Sequence, residues 1–317
     1  MINTYTLERY TSKNKKEWDD FALKCMQQHF FFQRDFLEYH KDRFKDYSLI
    51  VRDDKSKIVA LFPATISAKI ITSHAGVTFG GLLYRPRTFV QKVIVILSLI
   101  EEYYKLKGVF KLNYKVTPYV YKSEQGEEDV YALFKNDWKL IRRDFSTIIN
   151  INNTVSIDRS RNKNLKIAER GGVEVRESND LSEFWNLLNI NLNKRHTVNP
   201  THSLVELQLL KTLFSKNICL IGGYRNGILL GGALLFITER VCKVQYSVNS
   251  EEGRKYKVLD AIFMSIINKN KLDFIDFGHS CENNGSVLNV GLSRFKYQFR
   301  GESLVHDFYE KDLRTLP

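Results

Sequence analysis

The sequence predicts a mixed α/β protein built twice, and three observations carry that prediction. The chain has 317 residues, about twice the roughly 150 residues of an ordinary domain. With 43% hydrophobic and 13% aromatic residues and only five prolines, it has the material for packed cores rather than for disorder. A hairpin, a helix and a buried strand also recur in one order at an offset of roughly 160–170 residues. The boundary falls near residues 150–160, giving domains at 1–155 and 156–300, with 301–317 as a C-terminal tail.

In the first half, Trp18, Phe21, Ala22 and Cys25 stand at i, i+3, i+4 and i+7, which predicts a helix near Lys16–His29. A second helical stretch follows near Phe31–Phe44. A hairpin then joins Ser48–Val51 to Ile58–Ile66 through Asp53-Asp54-Lys55-Ser56-Lys57. A short strand, Lys69–Ser73, leads into the glycine loop Gly76…Gly80-Gly81. A long helix near Thr88–Leu106 ends at Gly108. The strand Val109–Lys115, a helix near Glu128–Asn136 and a strand near Ile141–Ile151 complete the half.

The second half repeats the order. Helices near Leu181–Asn193 and Ser203–Phe214 precede a strand, Ile218–Tyr224. Asn226-Gly227 is the dipeptide that a two-residue hairpin turn favours, and Ile228–Ile237 is its return strand. Val241–Val248 is a third strand, followed by a charged loop, Asn249–Tyr256. A helix, Lys257–Asn270, and a strand, Leu272–Phe277, close the unit. This meander, helix and parallel strand resemble the core of the GCN5-related N-acetyltransferase (GNAT) fold. A Rossmann reading is weaker, because no G-x-G-x-x-G follows either first strand, and no P-loop occurs.

Composition excludes several classes. The net charge is +12, spread as +7 over residues 1–150, +7 over 151–300 and −2 over the last seventeen. So even a spread predicts a soluble background charge more than a nucleic-acid face. Two clusters stand out: Arg159, Arg161, Lys163, Lys166 and Arg170, and then Arg254, Lys255 and Lys257. The four cysteines, Cys25, Cys219, Cys242 and Cys281, form no C-x-x-C pair, so neither zinc nor a disulfide framework is expected. No apolar stretch approaches the roughly 20 residues of a membrane span, and no signal peptide is visible. A cytoplasmic location is the expectation.

Three stretches are similar to one family. Arg159-Ser-Arg-Asn-Lys-Asn-Leu-Lys-Ile-Ala-Glu-Arg-Gly-Gly-Val-Glu-Val175 resembles the basic, asparagine-containing helix and Ala-x-x-x-Gly-Val-x-Val segment that open the second domain of FemAB-like proteins. Leu272-Asp-Phe-Ile-Asp-Phe-Gly278 resembles that family's strand ending in Asp-Phe-Gly. Gly291-Leu-Ser-Arg-Phe-Lys-Tyr-Gln-Phe-Arg-Gly301 resembles its closing Phe-Lys-x-x-Phe-Gly signature, with Arg300 where glycine is usual. The resemblance implies transfer of an acyl or aminoacyl group, from acyl-CoA or aminoacyl-tRNA, to an amine of a cell-envelope precursor. It also implies an acceptor such as a nucleotide- or lipid-linked amino sugar, tRNA as a further partner, and a tail, 301–317, that returns to the first domain. The local basic clusters suit a phosphate on the acceptor or donor, and no metal is expected because no third ligand lies near His196 and His202 in sequence.

Candidate residues follow from what amine acylation needs: a neutral nucleophile, a stabilised oxyanion and a held donor. Asp276, at the end of a buried strand, is a candidate base or a shaping carboxylate, and His279 titrates in the right range. Backbone amides near Tyr246–Val248 are candidate oxyanion donors. Strand alternation predicts that either Gln245 or Tyr246 faces the cleft. Arg254, Lys255 and Lys257 are candidates for donor phosphates at a helix start, although one glycine and two acids match a CoA loop poorly. By resemblance, Lys296 lies between aromatics on a strand and holds a phosphate or the donor's carboxyl end. Arg195, His196 and His202 belong to a stretch that covers the acceptor pocket in relatives. Arg161 and Lys166, taken as one helix face, are phosphate candidates. The rivals to a transferase are a non-catalytic RNA-binding module and a scaffold of the same fold.

Overall fold

A computed structural model describes residues 5–153, 156–196 and 200–314. The chain divides into two units, one of residues 1–144, 283–287 and 305–317, the other of residues 145–282 and 288–304.

The chain begins with β1 (Thr6–Arg9), α1 (Lys15–Ala22), α2 (Arg34–Glu38), β2 (Leu49–Arg52), β3 (Ile58–Phe62), β4 (Thr65–Ser67), β5 (Ile70–Thr72) and β6 (Leu83–Tyr84). It continues through α3 (Val90–Leu106), β7 (Lys111–Lys115), α4 (Glu128–Lys135) and β8 (Lys139–Asn150). Then come α5 (Arg159–Arg170), β9 (Glu174–Ser178), α6 (Leu181–His196), α7 (Leu204–Leu213), β10 (Ile218–Arg225), β11 (Ile228–Ile237) and β12 (Val241–Asn249). The last elements are α8 (Glu251–Lys255), α9 (Val258–Lys269), β13 (Phe274–His279), β14 (Cys281–Glu282), β15 (Val287–Leu288), α10 (Val290–Tyr297) and β16 (Glu302–Asp312).

In the first unit, β1-β2-β3-β6 form one antiparallel sheet, and β4, β5, β7 and β16 are successive neighbours in another. β5 and β7 run parallel on either side of α3 in sequence, the crossover that the repeat predicted. Two expectations change here. The strand expected over Ile58–Ile66 breaks into β3 and β4 at Pro63, which has no N–H for a ladder. The two early helices are shorter than expected, because Phe30, Phe31 and Phe32 are all buried. Three consecutive side chains cannot share one buried helix face, so the chain turns through them. Trp18 Nε1 fixes the turn by donating to the Phe32 carbonyl at 2.8 Å.

The second unit has the strand order β8-β13-β12-β11-β10-β9. The β10–β11 turn places Asn226 at φ 51° and Gly227 at φ 78°, both left-handed, as a type I′ hairpin requires. β12 and β13 are parallel and joined by α9, again the expected crossover. β9 was not expected. Its sequence, Glu-Val-Arg-Glu-Ser, is mostly exposed and charged, which suits an edge strand and hides it from a hydrophobicity reading. The expected loop at Asn249–Tyr256 contains α8, whose Gly253 amide donates to Ser250 Oγ at 2.9 Å.

The core of this unit lies between the sheet and α9, where Val258, Ile262, Phe263 and Ile266 meet Leu235, Val244, Ile275 and Phe277. α5 is tied to α9 by Arg161, which donates to Asp260 Oδ1 at 2.7 Å and to Gln298 Oε1 at 2.6 Å. Phe295 and Phe299 lie against the same guanidinium. Among the described residues no helix is long and apolar enough to cross a membrane.

Candidate active site

The side of the second unit's sheet away from α9 carries the polar residues. On β12, Cys242 and Val244 point into the α9 core, so Lys243 points to the other side. Strict alternation would return Tyr246 to the α9 side. It does not, because the β11–β12 register slips by one: Leu234 pairs with Tyr246 and Leu235 with Val244, leaving Gln245 as a bulge. The bulge puts Lys243 and Tyr246 on one face, together with their cross-strand partners Phe236 and Leu234. Of Gln245 and Tyr246, Tyr246 is the one that shares the face of Lys243, by way of a bulge and not of simple alternation. Among the described residues, Gln245 Oε1 is buried without a hydrogen-bond partner.

β12 and β13 stay in parallel register only over Val241–Lys243 and Phe274–Asp276. Beyond that point β12 runs on to Asn249 against β11, while His279 pairs with Ser146 of β8. The strands diverge, and backbone amides after Lys243 lose their neighbour on the β13 side. Asp276 stands at the fork, fully buried and opposite Lys243. Its Oδ1 accepts from Ser146 Oγ at 3.0 Å and from the Gly278 amide at 2.7 Å. These bonds hold the end of β13 in shape.

Lys296 completes the fork, from a helix and not from the expected strand. It lies on α10, buried, and its Nζ donates to the carbonyls of Gly278 at 2.8 Å and His279 at 2.9 Å. The α10 turn is capped by Asn289, whose side chain accepts from the Leu292 amide. Burial pushes the Lys296 ammonium down to about 8; Asp276 opposes this and Lys243 adds to it. Burial lowers Lys243 as well, with Asp276 in opposition.

On the same face, His202 Nδ1 and the Tyr246 hydroxyl are 2.6 Å apart, and their rings meet edge to face. Trp185 Nε1 of α6 donates to the His202 carbonyl at 3.1 Å, fixing the segment before α7. Burial raises the Tyr246 phenol, while hydrogen bonds around Thr201, His202 and Gln245 oppose it. A phenol bonded to an imidazole in this way can exchange a proton with it.

The other candidates lie apart from this cluster. The His279 side chain is exposed. Arg161 is engaged by Asp260 and Gln298, whereas Lys166 is exposed. The single face expected for the two does not exist, because five helical residues turn the chain by about 140°. Arg195 and His196 end α6, and their side chains lie outside the described residues. Lys255 is exposed, and Lys257 occupies the N-cap of α9 at φ 58°. Arg254 Nη1 donates to the Asn249 carbonyl at 3.1 Å.

Residues 250–257 do not fit a CoA pyrophosphate. Ser250 already accepts from the Gly253 amide, and Glu251 and Glu252 occupy the first turn of α8. A Cβ at Gly253 would lie 2.2 Å from Asn249 Oδ1 and 2.3 Å from the Leu230 carbonyl, so that glycine serves packing. Among the described residues no group of His, Cys, Asp and Glu could hold a metal. The sequence reading missed Lys243 and Ser146. A lysine inside the apolar run Val241-Cys-Lys-Val244 was the available signal for the first, since an isolated charge in a central strand is seldom buried without purpose.

No family model and no curated protein matches the sequence. Solved structures do match in fold. FemX superposes with a TM-score of 0.67 at 12% identity, over 95% of this chain and 96% of that one. L-PGS from Bacillus licheniformis gives 0.63 at 12% identity, over 98% and 95%. The C-terminal domain of a putative lysylphosphatidylglycerol synthetase from Agrobacterium fabrum gives 0.63 at 10% identity, over 95% and 92%. The fold is that of FemX. The mixed α/β class expected from the sequence, in a chain of two units, is thereby observed.

Proposed function

We propose that this protein transfers an acyl group, and most directly an aminoacyl group, to an amine of a phosphate-bearing cell-envelope precursor. The observation that carries the reading is the fork between β12 and β13. There the Gln245 bulge, Asp276, Lys296 and the Tyr246–His202 pair converge on one buried polar face. The fold shared with FemX and two proteins named for lysylphosphatidylglycerol synthesis favours an aminoacyl donor. The poor fit of residues 250–257 to CoA points the same way.

In this reading the acceptor amine attacks the donor's ester carbonyl, so that an N–C bond forms and the C–O ester bond breaks. The amine's proton passes to the Tyr246–His202 pair, and the leaving oxygen takes up a proton. Amides of β12 beyond Lys243 face the oxyanion. Lys296, held by two carbonyls, supplies fixed positive charge beside it. Asp276 balances that charge and fixes the turn from which the carbonyls project.

The test is incubation of the purified chain with charged tRNA or acyl-CoA and amine acceptors of increasing complexity, followed by mass spectrometry. The reading expects a mass increase of one aminoacyl residue from charged tRNA. Acyl transfer from CoA alone overturns the donor assignment. Salt-dependent tRNA binding with no transfer to any acceptor favours the RNA-binding rival.

A further inference from the structure

Lys243 has no role in the mechanism above, yet it is the most conspicuous charge on the face. It is 6% exposed, and among the described residues its ammonium makes no hydrogen bond or ion pair. Every other charged group nearby is held. Asp276 accepts from Ser146 and the Gly278 amide, and Lys296 donates to two carbonyls. The groups facing Lys243 are Asp276 from β13, Lys296 from α10 and the Phe236 ring from β11. Two buried ammoniums therefore stand around one buried carboxylate. An excess positive charge in a poorly solvated place is costly unless an anion completes it. No side chain or carbonyl among the described residues accepts from the three N–H donors of Lys243.

We propose that Lys243 is an anion-binding residue, which with Lys296 holds a carboxylate or phosphate oxygen of the bound acceptor. This rests on the transferase reading for the identity of the ligand, though not for its binding. Such a site selects acceptors that bring a negative oxygen within reach of the fork, and neutral amines bind weakly. Asp276, fixed opposite, offsets the repulsion between the two lysines.

The test uses thermal unfolding of the full chain at constant ionic strength, with chloride replaced stepwise by inorganic phosphate or by acetate. Wild type and the exposed-lysine control Lys216→Met are expected to rise in midpoint with at least one of these anions. Lys243→Met is expected to lose that response, with affinity at least tenfold weaker. It is also expected to melt about 2 °C or more above wild type in chloride alone, because an uncompensated ammonium is gone. A response to phosphate and not to acetate assigns a phosphate, and the reverse assigns a carboxylate. A Lys243→Met protein that melts below wild type and answers the anions as wild type does overturns the proposal. A second measurement does not depend on that variant folding: the Nζ resonance of Lys243 in isotope-labelled wild type should shift on phosphate or acetate addition. An unmoved resonance also overturns it. Anion binding through Lys243 in a protein with no transfer activity supports this proposal and removes only the transferase reading.

Discussion

Arg300 shows how one residue departs from its surroundings at a local cost. It adopts φ 71°, the left-handed region where a side chain costs on the order of 1 kcal/mol relative to glycine. The sequence marked this position as one where glycine is usual, and the backbone agrees. The turn does not shift to the next residue, since Gly301 is needed for closeness: a Cβ there would lie 2.4 Å from the Thr147 methyl. Arg300→Gly is therefore expected to stabilise the protein by about 1 kcal/mol in denaturant unfolding. A loss of stability would show that the Arg300 side chain carries compensating contacts. At the same scale, His202 was a candidate by resemblance and Tyr246 by its place on the strand. Their 2.6 Å contact was not legible, because it depends on a bulge that no dipeptide announces.

Elements were legible where period and length agreed. α3, α4, β11 and α9 lie within two residues of their expected limits, each with a long, consistent apolar pattern. The resemblance put Lys296 between aromatics on a strand, yet Arg294-Phe-Lys-Tyr-Gln-Phe299 belongs to α10 and its last turn, which bring Lys296 to the carbonyls of Gly278 and His279. Phe295 and Phe299, four apart, are stacked edge to face with centroids 5.3 Å apart, which is the helical reading of the same letters. The placement of α10 has a pH consequence. The native Lys296 ammonium titrates near 8, below the roughly 10.4 of an unfolded lysine. Between those values the unfolded chain binds more protons, so stability from this group rises with pH across about 8 to 10.4 and is flat below. The buried Lys115, brought down to about 7, acts in the same sense, so the comparison must be made with Lys296→Met. The variant is expected to lack part of the rise in unfolding free energy measured between pH 8 and 10. Equal slopes in the two proteins would mean that Lys296 titrates normally.

For the molecule as a whole, the net charge of +12 does not mark the site. Two of the basic residues singled out from the sequence, Lys166 and Lys255, are exposed, and Arg161 is an internal tie between α5 and α9. The charge at the proposed site is small and buried, on Lys243, Asp276 and Lys296. The repeated order of elements was legible because each half must bury its strands against its own crossover helix, and that need writes the same pattern twice. The chemistry was less legible, since a strand register and a fork between two strands have no signature in composition. The central claim is that this fork in the second unit is the transfer site. It is tested most directly by the single-turnover rate of Tyr246→Phe with charged tRNA and an acceptor that wild type uses. The account predicts a rate at least 100-fold lower, with unchanged circular dichroism and unfolding midpoint. A rate within twofold of wild type would contradict it.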